Sequence, residues 1–127
     1  MTFAYWCILL TAFLPLVWVG AAKFGGGDFD NFRPRIFLQN LTGWQQRADW
    51  AQSNAYENFP PFAAGVLVAH AVGTPQLTVD ILAGVFLAAR VAHGIAYILN
   101  KPTLRSVVWS VGFFCMVGLF LSAGWSA

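Results

Sequence analysis

From Phe3 to Ala22 no side chain carries a charge. The hydrocarbon core of a bilayer requires roughly 20 mostly apolar residues in each crossing helix, and nothing else in the chain limits its fold as strongly. Three further stretches approach the same requirement, at 47–71, 75–99 and 102–125; the first of these is polar in its leading half and apolar from Phe59 onward. Charged residues make up 9% of the chain and hydrophobic ones 58%, against about 25% charged in an average soluble domain. A soluble monomer of 127 residues is thereby excluded, because a globule of this size leaves about a third of its unfolded surface in water and needs polar cover for it. The expected fold is an all-α integral membrane protein, one domain over 1–127, built as a bundle of four transmembrane helices at about 3–22, 47–71, 75–99 and 102–125. The net charge is only +2, with the basic residues scattered, so no nucleic-acid footprint is present. Cys7 and Cys115 both lie in apolar runs, which argues against a disulfide framework and against a metal site.

The charges between spans set an orientation. Lys23, Arg33, Arg35 and Arg47 lie in or beside the loop at 23–46, and Lys101 and Arg105 flank the turn before the last span, whereas the turn from Gly73 to Thr78 has no basic residue. The positive-inside rule places the first and third connections in the cytoplasm and both termini outside. The first span is read as retained, since it lacks the basic leader of a cleaved signal. Gly25, Gly26 and Gly27 make the long loop flexible at its start, and Arg33, Pro34 and Arg35 with Ile36, Phe37 and Leu41 suit an interfacial segment. Thr74 with Pro75 reads as the N-cap and first turn of the third span, and Pro102 as the first turn of the fourth.

The polar residues fall in stripes. Arg47, Trp50, Asn54 and Glu57 share one face of the second span, and Arg90, His93, Tyr97 and Lys101 share one face of the third. Alternate spans run in opposite directions, so Glu57, about 15 Å into its helix at 1.5 Å per residue, should match Arg90 in depth. An isolated charge at that depth costs roughly 2.5 to 3.5 kcal/mol on insertion scales, and an ion pair between Glu57 and Arg90 is expected. His93, Tyr97, Arg105, Ser106 and Trp109 then gather toward the cytoplasmic end, giving a polar pocket shared by three helices. The same groups also fit a plainer role as interhelical glue. Arg105 fits snorkelling to the headgroups, and His93 fits a satisfied core histidine. Pro60 and Pro61 remove the amide donors that Tyr56 and Glu57 carbonyls would otherwise meet.

Asn54, Ala55, Tyr56, Glu57, Asn58, Phe59, Pro60, Pro61 and Phe62 resemble the Asn-x-x-Glu-Asn-x-x-Pro-Phe segment of the membrane-associated proteins in eicosanoid and glutathione metabolism, the MAPEG family. The run from Arg90 through His93 to Tyr97, followed by Arg105 and Ser106, is similar to the third helix and fourth-helix start of the microsomal glutathione transferase and prostaglandin E synthase branch. The resemblance covers nearly the whole chain, in the short bacterial form of about this length. It implies a four-helix subunit in a homotrimer of a bacterial inner membrane, with glutathione between subunits near the cytoplasmic side. By that likeness Asn54, Glu57, Arg90, His93, Tyr97 and Trp109 line the glutathione site, Arg105 stabilises the thiolate, and Ser106 assists it.

The expected activity is a glutathione-dependent transferase or peroxidase acting on a lipophilic electrophile or lipid. Trp50 and Ser53 stand where family members often carry arginines that pair with glutathione carboxylates, with Arg47 or Lys23 the nearest substitutes. That departure favours the alternative, a non-catalytic lipid-binding or scaffold member of the same fold. A proton-relaying transporter using Glu57, Arg90 and His93 is a third class, opposed by the small span count and the lack of inverted halves.

Overall fold

The computed structural model describes residues 1–127 and contains only helices. Four are long: α1 (Phe3–Phe24), α3 (Gly43–Ala71), α4 (Gln76–Ile98) and α5 (Pro102–Ser126). The short α2 (Pro34–Gln39) lies in the loop between α1 and α3. Helices α1, α4 and α5 are long and apolar enough to cross a membrane, and α3, with its polar first half, falls outside that group. Only 27 of 127 residues are buried, so most of the apolar surface of α1, α4 and α5 faces outward. Leu10, Phe13 and Val17 on α1 and Leu104, Val107 and Phe114 on α5 are all more than half exposed. Lipid is the solvent that makes such a surface stable.

The ends of the helices follow local chemistry. Thr2 caps α1 by accepting a hydrogen bond from the Tyr5 amide (3.1 Å), and Asp80 of α4 accepts a second from the Ala4 amide (3.0 Å). These satisfy two of the amides that a helix start leaves without partners. Just past the end of α3, Gly73, at a φ of 81°, lets the Thr74 amide turn back to the Ala69 carbonyl (3.0 Å), a Schellman closure. This corrects the expected N-cap. Thr74 finishes α3, while Pro75 is the N-cap of α4 and its carbonyl accepts from the Val79 amide (3.3 Å). The helical amides of α4 begin one residue later than expected, and the Thr74 hydroxyl caps none of them and is left buried without a partner. Asn100, at φ 57°, supplies the corresponding turn between α4 and α5, and Pro102 begins α5.

Packing divides the bundle along its length. In one half, Ala4 and Cys7 of α1, Phe62, Val66 and Ala69 of α3, Val79, Ala83 and Phe86 of α4, and Cys115, Leu119 and Ala123 of α5 form the main core. The Phe62 and Phe86 rings stack at 4.0 Å and within 5° of parallel. In the other half a smaller cluster of Leu14, Trp18, Ala51 and Ala55 joins α1 to α3 and α4. Trp18 lies flat on Gly94, where an added Cβ would come within 2.1 Å of the indole; the absence of a side chain lets α1 and α4 approach.

Helix α5 has no buried residue before Gly112. Its first turns therefore stand away from the bundle core. In the connecting loop, Phe24, Phe29 and Phe37 make successive edge-to-face contacts at 5.6 and 5.2 Å. Phe37 thus turns inward, and Ile36 is the large apolar residue of α2 left exposed, beside Arg35 and Gln39.

Candidate functional site

Between α3, α4 and the outstanding start of α5 lie two adjoining clefts. The first, about 310 Å³, is lined by His93 and Tyr97 of α4 and by Arg105, Ser106, Trp109 and Ser110 of α5, with Asn54 of α3 at its edge. The second, about 470 Å³, is lined by Trp50, Ser53, Asn54 and Glu57 of α3 together with Tyr97. Asn54 and Tyr97 belong to both. Each volume is in the range of small-molecule sites.

Helical spacing explains which side chains meet. Positions 90, 93 and 97 stack on one face of α4, and α3 runs antiparallel beside it. Arg47 of α3 therefore meets the C-terminus of α4, donating from Nε to the Ile98 carbonyl (3.1 Å). One turn along, the Trp50 and Tyr97 rings lie 6.4 Å apart, and further in Arg90 donates to Asn54 Oδ1. The Arg105 guanidinium lies 4.6 Å from the centre of the Tyr97 ring, a cation–π contact. His93 meets the same tyrosine edge-on at 5.8 Å.

The expected ion pair between Glu57 and Arg90 is not formed. Arg90 is 4% exposed and gives its hydrogen bond to Asn54, while Glu57 lies exposed on the second cleft. The depth argument sets height along the helix and leaves angle free. Ala48, Ala51 and Ala55 are buried, and from the middle of that stripe Asn54 lies about 90° round the helix and Glu57 about 150° at 3.6 residues per turn. Only Asn54 reaches α4.

Asn54 Oδ1 accepts from Asn58 Nδ2 (3.2 Å) as well as from Arg90. Both lone pairs of that oxygen are thus engaged, and the amide Nδ2 of Asn54 is left to donate toward the clefts. Arg90 lines neither cleft; it acts on the site through Asn54. Neither Arg47 nor Lys23 lines a cleft: Arg47 donates from Nε to the end of α4, and the Lys23 ammonium sits 4.8 Å over the Phe29 ring.

The structure thus brings together Asn54, His93, Tyr97, Arg105, Ser106 and Trp109 around the first cleft and places Glu57 in the second. Ser110 and Asn58 were not among the expected site residues. Ser110, one turn after Ser106, lines the first cleft and donates to the Ser106 carbonyl (2.9 Å). Its i+4 spacing from Ser106 was the available signal, as was that of Asn58 from Asn54.

The electrostatics of the two clefts differ. The first is lined by Arg105 and His93 with no acidic side chain, and the second by Glu57 with no basic one. The first suits an anion and the second a cation, and Asn54 offers amide donors at the boundary. A model of the MAPEG family matches residues 3–125 of the chain. Comparison with curated proteins and with solved structures gives no match.

Proposed function

The chain belongs to the MAPEG family, an integral membrane group of glutathione and eicosanoid metabolism, and from that premise we propose that it is a glutathione-dependent transferase or peroxidase acting on a lipophilic electrophile. One observation carries this reading: Arg105 faces a cleft that contains His93, Ser106 and Ser110 but no acid. A thiol of pKa about 8.5 is mostly protonated at neutral pH, and its thiolate is the attacking form. Glutathione would supply that thiol. Arg105 holds positive charge where the thiolate forms, one turn into a helix whose free amides also favour an anion. Ser106 offers a hydroxyl donor to the same sulfur, Asn54 an amide donor to the peptide, and Glu57 a carboxylate to its amino group. His93, Tyr97 and Trp109 wall the cleft.

The exposed apolar face of α5 beside Ser110, formed by Val107, Val111 and Phe114, is open to lipid and gives an apolar co-substrate a route to the sulfur. In this reading α3 crosses the membrane as a fourth span, both termini face outward, and the loop at 23–46 is cytoplasmic. Three subunits assemble in a bacterial inner membrane with glutathione between them.

The test is ultraviolet difference absorbance of the thiolate on adding glutathione to protein in detergent, for wild type and Arg105→Ala. A signal near neutral pH that is absent in the variant is expected. If calorimetry shows glutathione binding while wild type gives no thiolate signal, Arg105 does not activate the thiol. The second reading, a non-catalytic lipid-binding member, is favoured by Trp50 and Ser53 at positions where arginines would grip carboxylates. It predicts no conjugation of a generic electrophile above background at saturating glutathione.

A further inference from the structure

The loop between α1 and α3 presents an apolar tip that the bundle leaves uncovered. Phe32 is 98% exposed, although the turn that carries it is held by hydrogen bonds: the Asp30 carboxylate accepts from the Phe32 amide (2.9 Å) and the Asp30 carbonyl from the Arg33 amide (3.3 Å). The loop is also pinned to the helices on either side. Gln45 at the start of α3 donates to the Ala22 and Gly26 carbonyls (3.0 and 2.9 Å), and the ring contacts from Phe24 through Phe29 to Phe37 tie α2 to the end of α1. Because α1 is long and apolar enough to cross a membrane, a segment two ring contacts from its end lies close to the level where hydrocarbon gives way to headgroups. Phe24 and Ile36 in the same region are also at least half exposed.

The charges on this segment select the lipid. From Asn31 to Gln46 the chain carries Arg33 and Arg35 and no acidic residue, and both arginines are exposed. The nearest acids, Asp28 and Asp30, precede Phe32, and the Asp30 carboxylate is already engaged by the Phe32 amide. An exposed aromatic ring next to guanidinium groups is stable at a bilayer surface, with the ring among the upper acyl carbons and the guanidinium groups on phosphate oxygens. We propose that Phe32, Ile36, Arg33 and Arg35 form a docking site for anionic phospholipid, anchoring the loop to the leaflet at which α1 ends. The bilayer is favoured over a protein partner because the segment is joined to a helix whose outward apolar surface already requires lipid. Each basic side chain close to an anionic surface strengthens such attachment about fivefold. The site uses neither cleft and no thiol, so it is independent of the glutathione reading.

Hydrogen exchange of the full chain tests this in two kinds of nanodisc, one of phosphatidylcholine and one of an equal mixture of phosphatidylcholine and phosphatidylglycerol. Amides from Phe32 to Gln39 are expected to exchange at least about fivefold more slowly in the mixture, while those of α4 exchange alike in both. High salt, which shortens the reach of charge, should remove most of that difference. Arg33→Gln together with Arg35→Gln should abolish the lipid dependence, and Phe32→Ser should speed exchange of the segment in both bilayers. All three side chains are exposed, so these variants should keep the fold, and the wild-type comparison tests the proposal without them. Equal exchange in the two bilayers overturns the proposal and leaves the exposed tip to a protein partner. A lipid difference that survives the loss of both arginines overturns it as well, by placing the anionic lipid elsewhere on the chain. So does slowing of the same size in α4, which would belong to the whole bundle and not to this site.

Discussion

The two halves of the bundle are built from the same four long helices and treat their polar groups in opposite ways. In the half that holds Phe62, Phe86 and Leu119, the helices pack closely on one another, and Asp80 and His70 are engaged there while the Thr74 hydroxyl is buried without a partner. Asp80 accepts from the Ala4 amide and from Gln76, and His70 packs its ring against Tyr5 at 5.1 Å. In the other half, α5 departs from the core before Gly112, and Arg105, Ser106 and Glu57 face open clefts. Tight packing at one end is what allows the other end to stand open. Helices in lipid gain little from burying apolar surface against each other, so close contact of small residues and matched rings must hold them. That contact is concentrated away from the clefts.

The largest effect that would break this comparison is expected at the open end and in activity alone. Arg105→Ala should lower turnover of a glutathione-dependent reaction by about 10²- to 10³-fold, the cost of removing one preorganised group that stabilises developing negative charge. Because Arg105 lies at the cleft and outside the core, the melting temperature in detergent should be unchanged. An equal loss of stability would show that the open end also holds the bundle together. At the closed end the expectation is reversed. Phe62→Ala should cost about 3 kcal/mol in chemical denaturation, the lower edge of the usual range for a buried aromatic because lipid already solvates the ring. Activity per folded molecule should persist.

Gly94→Ala probes the seam between the halves, since a Cβ there would overlap the Trp18 indole. Overpacking of this kind costs about 1 to 3 kcal/mol, and Trp18→Leu in the same chain should recover most of it. A melting curve for Gly94→Ala identical to wild type would mean that α1 and α4 are free to separate. The smallest effect belongs to the closed end's cap. Asp80→Ala should cost about 1 kcal/mol by leaving the Ala4 amide without a side-chain acceptor, read as a modest fall in melting temperature. Asp80→Asn, which keeps an acceptor oxygen, should fall between the two.

Much of the site was legible as periodicity. The spacing of Arg90, His93 and Tyr97 put them on one face of α4 whatever its neighbours, and Arg105 and Ser106 follow Pro102 closely enough to open the next helix. The partner of Arg90 was not legible. Glu57 satisfied depth and charge, and Asn54, three residues earlier on α3, took the contact because it faces α4. Arg47 offers the same lesson. It reads as a free cation near the pocket, yet the end of α4 arrives beside it and the Ile98 carbonyl takes its donor. The use of Asp80 as a cap for α1 likewise depends on a helix start 76 positions away in the chain.

The sequence by itself determined that this chain lives in a membrane and is helical, because apolar runs of bilayer length with few charges have no other stable solvent and backbone groups in lipid must pair within a helix. It also determined which residues share a helical face, since 3.6 residues per turn is fixed by backbone geometry. Only the tertiary structure decided how each helix is rotated about its axis and how far α5 stands from its neighbours. Those quantities depend on contacts between residues distant in the chain, such as Trp18 on Gly94 and Phe62 on Phe86. The clefts exist because those contacts close one end of the bundle and leave the other apart.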